Sequence, residues 1–151
     1  MVEDKPHYIG HRMRLKDRFR KGGIETLADY ELVEVILSYA VARKDLKPLA
    51  KHLLSEFGSF QGILDTPLDR LTSVKGMGDH TALLFKVIKG AMEWYLRERI
   101  YKKPVISSPQ ALEEYCRASM SGRQEEVFRV LFLNARNEVM ADEILQEGTV
   151  D

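Results

Sequence analysis

Apolar residues recur at helical spacing through most of this chain and then change period once, and that change limits the fold more than any other feature. Leu32, Val33, Ile36, Leu37 and Ala40 predict a helix from an Asp29 N-cap to about residue 41. Leu46, Leu49, Ala50, Leu53, Leu54 and Phe57 predict a second over 45–57, stopped by Gly58. Residues 60–64 form a short apolar turn or helix. Thr66 as N-cap, Pro67 at the first helical position and Asp69 behind it start another helix, running to about Val74. A long helix over 79–101 is expected to bury Leu84, Ile88, Ala91 and Tyr95, with Phe85, Met92 and Leu96 beside them.

After Lys103-Pro104 the pattern changes. Ser108-Pro109 opens one more helix, to about Met120. The runs 125–133 (EEVFRVLFL) and 138–146 (EVMADEILQ) then read as strands around a turn at Asn134-Ala135-Arg136-Asn137. The first run is apolar almost throughout, which predicts a strand buried on both faces. A lone two-stranded hairpin is marginal in water. The sheet is therefore expected to need strands beyond Asp151. This divides the chain into an all-helical domain, 1–103 with a loose start over 1–9, and an incomplete α+β domain, 104–151.

Composition excludes several classes. With 44% hydrophobic and 30% charged residues the chain is neither disordered nor membrane-embedded in character. No apolar run is long enough to span a bilayer, and the charged first twenty residues hold no signal-peptide core. One cysteine, Cys116, leaves no internal disulfide. A cytoplasmic protein without a membrane partner is expected. The zero net charge conceals an asymmetry: residues 1–103 carry 19 Lys+Arg against 14 Asp+Glu, and 104–151 carry 4 against 9. A basic front half predicts an anionic partner there.

The run HRMRLKDRFRK over 11–21 places six Lys or Arg on a short helix ended by Gly22-Gly23. Such runs are usually solvated helix faces, and phosphate contact by Arg12, Arg14, Arg18 or Lys21 is the alternative. Arg43, Lys44, Lys47 and Lys51 extend the same basic surface.

The most specific local feature is LTSVKGMGDHTA over 71–82. It resembles a helix–hairpin–helix motif, with Val74, Gly76, Met77, Gly78 and Ala82 in the patterned places. Two glycines permit a tight hairpin and remove side chains that would bar a close approach. Main-chain N–H groups there and at the start of the next helix can face a phosphate oxygen. Lys75 adds charge and Thr81 a hydroxyl. The candidate DNA-binding residues are therefore Lys75, Gly76, Met77, Gly78 and Thr81, reading the phosphate backbone without sequence preference. Asp79 objects, because its carboxylate competes for the same N–H groups. The alternative is a plain tight turn between packed helices.

Taken together, the segments GHRMRL (10–15), LADYEL (27–32), RKDLKPLA (43–50), FGS (57–59), KGMG (75–78), LNARN (133–137) and ADEILQEGTVD (141–151) resemble the RadC family over nearly the whole chain. The resemblance implies a helical N-terminal domain with the helix–hairpin–helix, then the first helix and β-hairpin of an incomplete α/β JAB/MPN (JAMM-type) domain, hence an α+β fold. It also implies an association with DNA repair and, for the full family form, a zinc metallopeptidase chemistry. Glu143 matches the catalytic glutamate of such domains by resemblance only. The His-x-His and Asp zinc ligands are expected beyond residue 151, so no metal ligand is assigned in this chain and it is expected to be inactive as it stands.

The residues themselves leave Glu143 open. Val139, Ala141, Glu143 and Leu145 alternate with Met140, Asp142 and Ile144, so a carboxylate falls among apolar neighbours. It then needs a partner when buried, or it lies exposed on an edge strand. His7, His11, His52 and His80 show no ligand spacing and read as surface or packing residues. Three functions follow: a DNA-contacting helical domain joined to a truncated JAMM-type domain, a zinc metallopeptidase, or a helical protein-interaction module. Peptide substrate and oligomeric state are left open.

Overall fold

The computed structural model describes residues 7–148; the expectations for 1–6 and 149–151 lie outside the described residues. Among the described residues seven α-helices and two short 3-10 helices precede a two-stranded antiparallel sheet, an α+β arrangement. The chain divides into two compact units, Met1–Phe85 and Lys86–Asp151.

In the first unit, α1 (His7–Gly22) buries Leu15 and ends where Gly23 takes φ 69°. Helix α2 (Asp29–Ala40) buries Val33 and Leu37, as its stripe requires. Its N-cap is Ala28, not Asp29, because the main-chain N–H of Ala28 is claimed by the Glu31 carboxylate at 2.9 Å. Helix α3 (Lys47–Phe57) buries Ala50 and Leu53, and Gly58 ends it in the left-handed region at φ 81°.

Helix α4 (Phe60–Asp65) is capped by the Ser59 hydroxyl, which accepts from Gly62 N–H at 2.9 Å. Thr66 closes α4 rather than opening the next helix: its hydroxyl donates to Gly62 C=O at 2.6 Å. Pro67 is the N-cap of α5 (Leu68–Thr72), whose Leu71 is fully buried. Val33, Leu37, Leu46, Ala50, Leu53, Ile63, Leu71, Ala82 and Phe85 supply this unit's core.

Helix α6 (Asp79–Ile100) contains the boundary between the units. Its expected inner stripe is corrected. Ala82, Phe85 and Ile100 are buried, whereas Ala91 and Tyr95 are exposed along with Val87, Met92 and Trp94. Apolar spacing marks a helical face, but it cannot say how far along the helix something covers that face.

In the second unit, Pro109 begins α7 (Pro109–Met120). Ala111 and Tyr115 of α7 join Ile100 in a small core, with Leu96, Leu112, Cys116 and Leu131 packed against it. Strands β1 (Glu126–Leu133) and β2 (Val139–Gly148) pair antiparallel, with irregularities after Phe128 and Phe132. The Asn134 side chain builds the expected turn, its Oδ1 accepting from Arg136 and Glu138 N–H at 2.9 and 3.0 Å. Strand β1 is not buried on both faces: Phe128 and Phe132 are exposed. The register sets Val130 opposite Glu143 and Phe132 opposite Ala141 on one face, and Leu131 opposite Asp142 on the other. Tyr115 of α7 meets Asp142, so only that second face is covered.

Candidate nucleic-acid interface

Helix α5 ends at Thr72, and the chain turns through 73–78 into α6. Val74 N–H donates to Leu71 C=O at 3.2 Å and Met77 N–H to Val74 C=O at 3.0 Å, two tight turns in succession. Met77 is only 3% exposed and anchors the hairpin in the core. Gly76 takes φ 93°, which an L side chain rarely adopts, and a Cβ there would stand 3.5 Å from both Leu49 methyls. The conformation itself requires that glycine.

Gly78 differs. Its φ lies outside the left-handed region, and a Cβ built on it meets nothing within 4 Å. It precedes the first residue of α6, and its C=O accepts from Ala82 N–H at 2.9 Å. The amides of Asp79, His80 and Thr81 are then the open donors that every helix start leaves. Glycine has no side chain to cap them, and Gly78, Asp79 and His80 are exposed. Lys75 is exposed beside them. Thr81 is 5% exposed, so its side chain faces inward and offers its hydroxyl little access to a ligand.

The basic run on α1 has a structural task that its charge pattern did not reveal. The Arg12 guanidinium donates to Val41 C=O at 2.9 Å and to Lys44 C=O, tying off the end of α2 and the loop after it. Arg18 grips Glu31 with two hydrogen bonds of 2.9 Å and also reaches Thr26 C=O. The Arg18 hydrogen bond holds the Glu31 carboxyl below its ordinary pKa, against the upward push of burial, with help from Ala28 N–H. Glu34, 2% exposed, meets His11 Nε2 at 3.1 Å. Lys47 and Lys51 lie over the Tyr30 ring, and Lys16 over Tyr39. The signal for this network was two glutamates, Glu31 and Glu34, flanking an apolar stripe that faces a basic helix.

The charge asymmetry also changes meaning. Residues 86–103 hold six Lys+Arg against two Asp+Glu. Without them residues 1–85 carry 13 against 12, so the first unit is nearly neutral. Any anion affinity of the hairpin has to be local.

In the second unit, Glu143 is exposed on the open face of the sheet, beside Val130. The buried carboxylate is its neighbour Asp142, which accepts from the Tyr115 hydroxyl and from Arg129 at 3.3 Å. Burial, and then the hydrogen bond to Asp142, push the Tyr115 phenol far above its ordinary value. Among the described residues no group of three His, Cys, Asp or Glu side chains is placed to hold a metal ion, so they do not fit zinc. Among them no helix is long and apolar enough to cross a membrane.

The family profile described as UPF0758 N-terminal matches residues 8–83, and the one described as RadC-like JAB domain matches residues 106–151. A UPF0758 protein of Ruegeria pomeroyi is 43% identical over 147 residues, 97% of this chain and 66% of its own length. One of Rhodobacter capsulatus is 47% identical over 137 residues, 91% of this chain and 64% of its own. The chain thus spans just under two thirds of the length of these relatives. No solved structure matches. Helical unit, β-hairpin and sequence matches together place this chain in the UPF0758 family, the RadC family, with a RadC-like JAB domain beginning in its second part.

Proposed function

We propose that the 71–82 hairpin contacts the phosphate backbone of DNA without sequence preference, through the open amides at the start of α6. The observation that carries this is Gly78. The fold needs glycine at 76 for its φ, whereas at 78, the N-cap position of α6, a serine or asparagine would serve at least as well and the space its side chain would fill is open. A phosphate oxygen brought against bare amides gives that vacancy a use, and charge-assisted hydrogen bonds of this kind are the stronger sort. Lys75 adds one exposed cation, whereas Met77 and Thr81 serve by holding the hairpin in the core. The exposed carboxylate of Asp79 works against an anion, which limits the affinity. A peptidase reading would need metal ligands around Glu143, and no observation on the described residues favours it.

The test is fluorescence anisotropy with labelled duplex DNA and two variants at one position. Gly78→Ala inserts a methyl group and should weaken binding about tenfold, the loss of roughly one charge-assisted hydrogen bond. Gly78→Ser offers those amides a hydroxyl, so it should stabilise the protein by a few tenths of a kcal/mol and still weaken binding. Binding unchanged in both variants would leave the segment as a plain turn.

A further inference from the structure

We infer that the loop over 42–45 is a second phosphate-contact surface beside the hairpin, with Arg43 and Lys44 as its cations; the inference rests on the hairpin reading above. A Cβ built on Gly76 would stand 3.5 Å from Leu49, in the first turn of α3, so the two segments are neighbours. A helical side chain leans back over the turn before it. The hairpin therefore abuts the N-terminal end of α3, where the chain arrives through residues 42–46.

That loop is fixed by other groups. The Arg12 guanidinium bridges Val41 C=O and Lys44 C=O, one on each side of Arg43. Asp45 turns its carboxylate onto its own main chain, accepting from Lys47 N–H at 3.1 Å, rather than onto the neighbouring cations. Arg43 sits at φ 55°, a conformation that costs a non-glycine residue about 1 kcal/mol or more.

The result is a pinned main chain carrying two adjacent exposed cations. Among the described residues neither Arg43 nor Lys44 makes a side-chain ion pair, in contrast to Arg18, and neither lies over a ring as Lys47 and Lys51 do. Phosphates recur along one DNA strand every 3.4 Å or so of helix axis. A strand held at the hairpin thus offers further phosphates to a neighbouring cationic loop. Arg gives that loop a planar fork suited to phosphate, and Lys a point charge.

The test compares three proteins with the unaltered chain, using a short labelled duplex over a range of salt. Arg43→Glu with Lys44→Glu should weaken binding several-fold and reduce the slope of log affinity against log salt by roughly 1.8, two phosphate contacts at about 0.9 each. Arg20→Glu with Lys21→Glu, the same charge change at the far end of α1, should move the slope by less than half as much. Arg43→Gln with Lys44→Gln should follow the first variant with a smaller loss, and thermal melts should show all three folded. If the 43/44 variants match the α1 control while Gly78→Ala still weakens binding, the loop inference falls and the hairpin reading stands. If Gly78→Ala is silent, both fall, whatever the loop variants do.

Discussion

The two units treat their exposed main chain and apolar surface in opposite ways. In the first, arginines close the gaps: Arg12 satisfies carbonyls after α2, and Arg18 engages Glu31 and Thr26. Ser59 and Gly58 finish the short helices around the core. The start of α6 follows Gly78, whose C=O accepts from Ala82 N–H, and like the starts of α2, α3 and α5 it has no N-cap side chain bonded to its first amides. In the second unit the apolar surface is what stays open, with Phe128, Phe132 and Leu145 exposed on the hairpin. The first unit has a covered core, and the start of α6 on its surface is where we propose that DNA makes contact. A sheet with one bare apolar face is a folding unit whose burial is incomplete.

The largest effect that can break this comparison is core deletion. Leu53→Ala removes a fully buried side chain and should cost about 2–5 kcal/mol in urea unfolding. Phe128→Ala, at an exposed strand position, should change stability by no more than about 0.5 kcal/mol and improve solubility. Equal costs would mean that the hairpin face is as well covered as the helical core.

Next in size is the contrast between the two hairpin glycines. Gly76→Ala forces a methyl group into the left-handed region and against Leu49, and should destabilise by about 1 kcal/mol or more. Gly78→Ala gives up only a favoured N-cap residue, with no clash and no strained φ, and should cost less, roughly 0.5–1 kcal/mol. A reversed order in thermal melts would remove the argument that Gly78 is free of structural duty.

Smaller effects come from titration. Glu31 has a lowered pKa, so the stability it contributes is fully present above the ordinary carboxylate value and is lost as pH falls through the lowered one. Glu31→Gln should lower the melting midpoint at neutral pH and flatten the acid limb of the stability profile. Tyr115 has a raised pKa, so its contribution is present below the ordinary phenol value and fades as pH rises above it. Spectrophotometric titration should find one tyrosine resistant to ionisation at alkaline pH, and Tyr115→Phe should remove it. An unchanged count of resistant tyrosines would contradict the burial of Tyr115 against Asp142.

Where a sequence signal was local, the structure follows it closely. The Gly58 stop, the Pro109 helix start, the Asn134 turn and the Gly76–Gly78 hairpin each depend on a few adjacent residues. Signals that depend on what lies opposite were not legible. Thr66 looked like an N-cap but its hydroxyl reaches back to Gly62, and Tyr95 sits on an apolar stripe that nothing covers. The charge of Arg12 and Arg18 was visible, but carbonyls and Glu31 more than ten residues away or across a turn decided its use. Likewise the sequence marked Glu143 as an odd carboxylate, while the buried one is Asp142, which only the pairing register distinguishes.

The proposed contact is tested most directly by titrating the isotopically labelled chain with duplex DNA and following its amide resonances. The shifts should concentrate on Lys75, Gly76, Gly78, Asp79 and His80, shrink with added salt, and need more DNA to reach the same size in Gly78→Ser. Shifts spread evenly over the basic residues of α1, with those hairpin amides unmoved, would contradict the account.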